Sequence, residues 1–202
     1  MTDSAPKSRK RSAREAVDPT SPSEPAIADL IQEYAAPRYD VYYPTDTWNE
    51  ILPGLWLGGT DPEDDLANVM PGRGFGAPEP RVTKEKFDTV VTLYAWARPA
   101  DWFVKELRLG ILDGPMSNFD LDAISDLVVT AHTDWKAGKR VLIRCQAGIN
   151  RSSLVMALVL IRDGLNAKAA IDIMRRGRGM AVLANPHFVD WLSQLDVRKW
   201  RP

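Results

Sequence analysis

Cys145 is the only cysteine of this 202-residue chain, and five residues separate it from Arg151 in the stretch VLIRCQAGINRSS, residues 141–153. An apolar run precedes the stretch and another follows it, which predicts a buried strand that ends at the cysteine and a buried helix that begins near the arginine. A short turn that enters a helix directs several backbone N–H groups at one point, and the helix dipole adds positive potential there. The stretch is therefore expected to form an anion site that contains a thiol.

The residue types in this stretch suit a phosphate site with a built-in attacking atom. A nest of N–H groups stabilises a thiolate, so Cys145 is expected to be a competent nucleophile. Arg151 supplies a planar, permanently charged fork for two oxygens of a tetrahedral anion. Gly148 lets the backbone curl tightly around a ligand, and Ser152 places a hydroxyl beside the sulfur, where it can assist the thiolate as a leaving group. The simplest alternative, a cysteine that only fills the core, requires none of these other features.

The segments around this stretch predict an α/β fold. Ile51, Leu55 and Leu57 predict a short strand pair broken by the turn dipeptide Pro53-Gly54, and short β-branched or alternating runs predict strands at 86–95, 104–114 and 139–144. Helical spacing predicts helices from 118 or 120 to 136 and over 152–164, 166–179 and 185–195, with Asn166 and Asn185 as N-caps. The alternation predicts a mostly parallel central sheet flanked by helices on both faces, with the cysteine loop between a central strand and a buried helix.

The composition changes along the chain and predicts three regions. Residues 1–27 are rich in Ser, Pro, Ala and charge, which predicts a disordered tail. Residues 28–47 are expected to be a lead-in segment, and residues 48–202 to form the folded catalytic domain. The tail contains five basic residues in KSRKRSAR, residues 7–14. That run is either a solubilising segment or a weak anion-binding or targeting element.

Charge and composition exclude several classes of function. With 26 basic and 27 acidic residues, the net charge of −1 gives no overall field that favours nucleic acid or a membrane. A single cysteine cannot form an internal disulfide, and neither a secretory signal nor a membrane span is visible in the sequence, so an intracellular, cytoplasmic protein is expected. His132 and His187, the only histidines, lie far from Cys145 in sequence. We therefore predict no metal and no cofactor.

The segment CQAGINRS resembles the cysteine-x5-arginine-serine signature loop of the protein tyrosine phosphatase superfamily, and specifically of its small dual-specificity branch. The resemblance runs through about residues 48–195. EILPGLWLGG is similar to the opening hairpin of that branch, FDTVVTL to its first central strand, and AIDIMRRGRGMAVLANPHFVDWLSQL to its closing helices. Several matches in the right order are more specific than the short motif alone.

The resemblance implies a role for each residue of the loop. Cys145 would attack phosphorus to form a cysteinyl-phosphate, while Arg151 and the loop amides would hold the phosphoryl oxygens. The expected phosphate-binding residues besides Arg151 are Gln146, Ala147, Gly148, Ile149 and Asn150.

Asp113 lies where the general-acid loop of the family begins, so the resemblance implies that it protonates the leaving oxygen and then activates water. Asp113 ends a predicted strand and opens a Gly-Pro loop able to swing over the site. Asp101 and Asp120 are alternatives, and Asp120 is also a candidate helix cap.

One residue departs from the family pattern. A histidine commonly precedes the catalytic cysteine, and this chain has Arg144 there. Arg144 either preserves a positive field at the sulfur or points away from the site.

The expected function is a metal-independent protein phosphatase that acts on phosphotyrosine and, if its specificity is dual, on phosphoserine and phosphothreonine. An RNA 5′-phosphatase is an alternative, because Gly148-x-Asn150-Arg151 also resembles the loop of that branch. In that case the basic tail and Arg175, Arg176 and Arg178 would contact a phosphate backbone, although a charge run is more often a solvated face. A pseudophosphatase that binds phosphorylated partners without turnover is a further alternative. The expected partner is a phosphorylated protein; nucleic acid is not favoured, no membrane partner is expected, and the oligomeric state is left open.

Overall fold

A computed structural model of the chain describes residues 42–68 and 81–202. The predicted tail over residues 1–27 and most of the lead-in segment lie outside the described residues. At the end of that segment, Tyr42 and Tyr43 are exposed, with their rings in an edge-to-face pair.

The strands form one mixed sheet. The turn predicted at Pro53-Gly54 is present. It joins two antiparallel strands, and its Gly54 has a φ of +76°. Every other strand pair in the sheet is parallel. The spatial order is β1-β2-β5-β3-β4, so the strand that leads to the cysteine is central, as predicted. The strands are β1 (Trp48–Leu52), β2 (Leu55–Gly58), β3 (Thr89–Thr92), β4 (Lys105–Arg108) and β5 (Val141–Arg144).

Strand β4 is shorter than its alternating sequence predicts. Its ladder with β3 ends at the pair Thr92–Arg108, because β3 gives way to a turn after Thr92. Two backbone hydrogen bonds continue beyond the ladder, from Leu109 N to Thr92 O and from Ile111 N to Leu93 O. The chain therefore leaves the edge of the sheet only after Ile111 and then reaches Asp113.

The helices begin at the polar residues that the sequence marks as caps. Asp120 accepts hydrogen bonds from the backbone N–H groups of Asp122 and Ala123, and Asn166 accepts one from Ala169. Side-chain oxygens at these positions satisfy N–H groups that have no partner within the helix. The helices are α1 (Leu121–Lys136), α2 (Arg151–Arg162), α3 (Ala167–Arg178) and α4 (Pro186–Ser193). None of the helices over the described stretches is long and apolar enough to span a membrane.

The alternation of side chains along β5 assigns its residues to opposite faces of the sheet. Thr89, which pairs with Val141, donates to Asp134 of α1, so Val141 and Ile143 lie on the face of the sheet that α1 covers. Leu142 faces the other way, into a cluster with Val82, Phe87, Val90 and Val104. The same alternation places Cys145 on the α1 side and Arg144 on the opposite side.

Candidate active site

The sulfur of Cys145 lies inside the turn between β5 and α2. Its side chain is buried, with a relative exposure of 2% for the residue. The backbone N–H of Gly148 donates to Sγ over 3.2 Å, and the Ser152 hydroxyl lies 3.3 Å from Sγ. Donors directed at sulfur stabilise the thiolate relative to the thiol. The predicted neighbourhood of thiol, loop amide and hydroxyl is therefore present.

The loop packs closely against the end of β2. Gly148 has a φ of +68°, a conformation that side chains disfavour. A Cβ at Gly148 would lie 2.5 Å from the backbone N of Gly59 and closer still to the backbone carbon of Gly58. On the other side of the loop, the Thr60 hydroxyl donates to the carbonyl oxygen of Cys145 over 2.9 Å. Only glycine fits this approach of two backbones.

Arg151 is the first residue of α2, and its guanidinium lies over an aromatic ring. Its Cζ is 5.4 Å from the centroid of the Tyr94 ring, and its Nη1 donates weakly to Ile111 O over 3.4 Å. The Tyr94 hydroxyl in turn lies 3.3 Å from a carboxylate oxygen of Asp65. Burial raises the pKa of Tyr94, and the charge of Asp65 acts in the same direction. The phenol therefore stays neutral beneath the cation.

The Nε of Arg151 is buried and has no hydrogen-bond partner among residues 42–68 and 81–202. Buried guanidinium N–H groups are normally paired, because leaving one unpaired costs free energy. A phosphoryl oxygen bound in the loop would supply such a partner.

Arg178 is a residue of the site whose role the sequence interpretation missed. The structure buries its guanidinium behind the loop instead of placing it on a solvated or nucleic-acid-binding face. Nε donates to Gly148 O over 2.8 Å and Nη2 to Ala147 O over 3.3 Å. Nη1 donates to Asn49 Oδ1 over 2.6 Å and to Asp46 O over 3.2 Å. Holding the loop carbonyls from outside leaves the N–H sides of those peptides free to face inward.

The charge of Arg178 persists in this buried position. Burial lowers its pKa to about 10, while the negative charges of Cys145 and Asp46 oppose that lowering. The guanidinium is therefore protonated at neutral pH and places a positive charge near the sulfur. The spacing of the sequence could have indicated this burial. Ala170, Met174 and Arg178 follow one another at intervals of four, which places them on one face of α3, and all three are buried.

Arg144 points away from the site and does not provide a positive field at the sulfur, which was the other arrangement considered from the sequence. Its guanidinium is fully buried on the face of the sheet opposite Cys145. Nε donates to Thr92 Oγ1 over 3.0 Å, and Nη2 donates to Arg98 O over 2.7 Å and to Glu106 Oε1 over 3.3 Å. Burial lowers the pKa of Arg144, and the carboxylate of Glu106 counteracts this. Arg144 thus joins β5 to β3 and β4, and its positive charge is paired with the carboxylate of Glu106.

Of the three candidate acids, Asp113 is the one that the structure brings to the loop. Its Oδ2 accepts from Asn150 Nδ2 over 2.9 Å, and its Oδ1 accepts from Asn185 Nδ2 over 2.7 Å. Asp120 caps α1, and Asp101 faces the backbone N of Phe103 at 3.5 Å in the turn before β4. The carboxylate of Asp113 is exposed and hydrogen-bonded to the loop residue that immediately precedes Arg151.

This arrangement brings a thiol, a backbone N–H directed at it, a guanidinium with unused donor capacity and a carboxylate to one end of the sheet. Such a set can bind a phosphoryl group, attack it and exchange a proton with its leaving group. Among residues 42–68 and 81–202, no group of three or more His, Cys, Asp or Glu side chains is arranged to hold a metal ion.

Comparisons with known proteins place this fold and loop in one class. Residues 103–198 match the family described as dual specificity phosphatase, catalytic domain. The chain is 32% identical over 84 residues to tyrosine-protein phosphatase CDC14 of Saccharomyces cerevisiae, in an aligned region that covers 41% of this chain and 15% of that relative. The chain therefore matches only a small part of the length of this relative.

Solved structures of phosphatases share the fold. Human DUSP28 superposes with a TM-score of 0.58 at 21% identity, covering 76% of this chain and 95% of that one. DUSP15 also gives 0.58 at 21% identity, with coverages of 76% and 91%. Tk-PTP in its active form gives 0.57 at 21% identity, with coverages of 76% and 99%. These structures share the fold of this chain. The family match covers just under half of the chain and shows that residues 103–198 are similar to the catalytic domain of the dual specificity phosphatases.

Proposed function

We propose that this protein is a cysteine-dependent phosphomonoester hydrolase that acts on phosphorylated proteins without a metal ion. The observation that carries the proposal is the placement of Asp113 over the loop that holds Cys145 and Arg151, through its hydrogen bond with Asn150. The nucleophile and the phosphate-binding arginine belong to one loop, and the acid belongs to a different segment of the chain. Their meeting at one point supports catalysis more strongly than binding alone.

In the first step, the Cys145 thiolate attacks phosphorus, and the bond from phosphorus to the leaving oxygen breaks. Arg151 and the loop amides hold the oxygens of the transferring phosphoryl group, where negative charge must be stabilised. Asp113 gives its proton to the leaving oxygen, so the alcohol or phenol departs neutral and a cysteinyl-phosphate remains.

In the second step, water attacks the same phosphorus while Asp113, now ionised, takes a proton from it. The phosphorus–sulfur bond breaks, inorganic phosphate is released, and the thiolate is restored. The Ser152 hydroxyl, 3.3 Å from Sγ, is placed to donate to the sulfur as its negative charge returns. No electrons are exchanged with an external donor or acceptor in either step.

The loop composition favours substrates with a single phosphate. Gln146, Ala147, Gly148, Ile149 and Asn150 carry no positive charge, so Arg151 is the only cation that the loop offers. A phosphotyrosine residue suits this site, and a phosphoserine or phosphothreonine residue is the broader form of the same proposal. Arg175 and Arg178 bind backbone carbonyls of residues 182, 183, 147 and 148, which supports a structural role over contact with an RNA backbone.

The test is phosphate release from a small aryl phosphate with a chelator present, for the wild type beside Cys145→Ser. The wild type is expected to turn over, and Cys145→Ser to retain less than about 1% of that activity, because a serine hydroxyl is hardly ionised. Cys145→Ser should still bind inorganic phosphate, since the loop and Arg151 remain.

A tyrosine phosphopeptide and a 5′-triphosphate RNA, assayed in parallel, separate the substrate classes. Faster release from the RNA would replace the protein substrate with a nucleic acid. Binding of the phosphopeptide by the wild type with no phosphate release would identify a pseudophosphatase.

A further inference from the structure

Two asparagine side chains from different elements meet on the carboxylate of Asp113. Asn150 stands immediately before α2 and donates to Oδ2, and Asn185 stands immediately before α4 and donates to Oδ1. Each carboxylate oxygen therefore receives one amide N–H. The residues are 37 and 72 positions from Asp113 in sequence.

The orientation of both amides is determined by the backbone groups around them. Asn150 Oδ1 accepts from the backbone N of Asn185 over 3.0 Å, and Asn185 Oδ1 accepts from the backbone N of His187 over 3.0 Å. Because each carbonyl oxygen already faces a backbone donor, each NH2 group must face the carboxylate. A flipped amide would set acceptor against acceptor at Asp113 and donor against donor at the backbone.

The segment that carries Asp113 has little packing of its own. Asp113 is exposed, and the preceding Leu112 is 73% exposed. A Cβ placed on Gly114 would meet no atom within 4 Å. With so few packing contacts, hydrogen bonds from neighbouring elements decide where the carboxylate lies.

We infer that Asn150 and Asn185 form a clamp that positions Asp113 over the phosphate loop and so determines how well it serves as the acid; this rests on the proposed function. An ionised carboxylate has about four lone-pair sites on its two oxygens. Each oxygen therefore keeps a free site while it accepts one amide, and the clamp persists when one oxygen carries a proton. Because Asn150 directly precedes Arg151, the clamp also links the acid to the residue that holds the phosphate.

The clamp predicts a specific kinetic change when one donor is removed. Serine is as good an N-cap as asparagine, so Asn185→Ser keeps the start of α4 and removes the amide that reaches Asp113. Without it, the acid is displaced for part of the time, and protonation of poor leaving groups suffers most. We expect kcat/KM to fall about 10- to 100-fold for the poorest leaving group, a part of the 10²–10⁴ that positioned acid catalysis provides. The loss should shrink steadily as the leaving group improves.

The experiment measures kcat/KM across a series of aryl phosphates that differ in leaving-group ability. It compares the wild type with Asn185→Ser, Asn150→Ala, Asp113→Asn and the double variant Asp113→Asn/Asn185→Ser. Asn166→Ser is the matched control, because Asn166 caps α3 in the same manner and makes its cap bond to Ala169. We expect Asn185→Ser and Asn150→Ala to steepen the dependence on the leaving group, and Asn166→Ser to leave it unchanged.

A second comparison separates positioning from a general structural role. In the Asp113→Asn background, removing Asn185 should cost little further activity, because both changes act through the same group. Suppose that the wild type is active, and that Asn185→Ser and Asn150→Ala lose activity equally for every leaving group or keep the wild-type dependence on the leaving group. Either result would overturn the clamp and leave the proposed function standing. No phosphate release by the wild type from any member of the series would overturn both.

Discussion

Replacing Arg144 with methionine should destabilise the fold without disturbing the thiolate. The guanidinium of Arg144 makes hydrogen bonds to Thr92, Arg98 and Glu106 from a fully buried position. Removing one partner of a buried ion pair costs about 3–5 kcal/mol in general. Methionine fills much of the volume that arginine leaves, so only a small cavity cost is added.

Glu106 retains other partners, which places the expected cost at the lower end of that range. It still accepts from Thr92 Oγ1 and Arg108 Nη1, each over 2.7 Å, and from the backbone N of Ala100 over 3.1 Å. We therefore expect a loss of about 3 kcal/mol in the free energy of unfolding. For a domain of this size, that corresponds to a fall in Tm of about 6–12 °C.

The acid limb of the stability profile should also change. Burial pushes the pKa of Glu106 upward, but hydrogen bonds from Thr92 and Ala100 and the charges of Arg108 and Arg144 outweigh it, so the pKa lies below its ordinary value. The folded state therefore gains stability from ionised Glu106 above its unfolded pKa and loses that stability as the pH falls through the lowered folded pKa. Arg144→Met removes one of the lowering charges, so this loss should be smaller and should be complete at a higher pH.

The assay combines urea unfolding, between pH 3 and 8, with the rate of alkylation of Cys145 by iodoacetamide at pH 7. Arg178→Met is the matched control, because Arg178 is equally buried but holds the carbonyls of the phosphate loop. We expect Arg178→Met to slow the alkylation, because the loop loses its support, and Arg144→Met to leave its rate unchanged. A changed alkylation rate in Arg144→Met, with stability unchanged, would contradict this assignment.

Three further changes test other parts of the structure. Gly148→Ala should lower both Tm and kcat/KM, the latter by about 100-fold or more, because its Cβ would overlap the backbone of residues 58 and 59; near-normal phosphate release would contradict the close approach. Arg151→Lys should reduce kcat/KM about 100-fold, since an ammonium cannot reproduce the two-pronged contact, and an unchanged rate would remove Arg151 from the site. Burial raises the pKa of Asp134, but hydrogen bonds from Lys105, Lys139 and Thr89 outweigh it and lower the pKa to about 2. Because the ionised form is favoured in the folded state, Asp134→Asn should lower the urea midpoint at neutral pH, with the difference vanishing as the pH falls toward 2; a difference that persists there would exclude the charge as its cause.

The loop and its flanking elements were predictable because their signals are local. An apolar strand, a glycine turn and an apolar helix follow one another within residues 141–162, and the polar caps at 120, 166 and 185 stand directly beside the helices they begin. The strand at 104–114 was predicted too long, because its end is determined by where the neighbouring strand β3 stops, which its own alternation does not report.

The contacts that orient the site depend on residues far apart in sequence. The ring of Tyr94 lies beneath Arg151, and Asn185 reaches Asp113, only after the sheet and helices have assembled. The burial of Arg178 and the direction of Arg144 lie between these cases. Both follow from periodicity, of four along α3 and of two along β5, once charged residues are allowed to occupy buried positions.

In the proposed reaction, Cys145 carries the phosphoryl group between the two steps. Rapid acid quenching during turnover of a radiolabelled phosphopeptide, followed by proteolysis and mass spectrometry, tests it directly. We expect one phosphoryl group on the peptide that contains Cys145, and none in Cys145→Ser. A label on any other residue, or steady phosphate release with no labelled protein at any quench time, would contradict it.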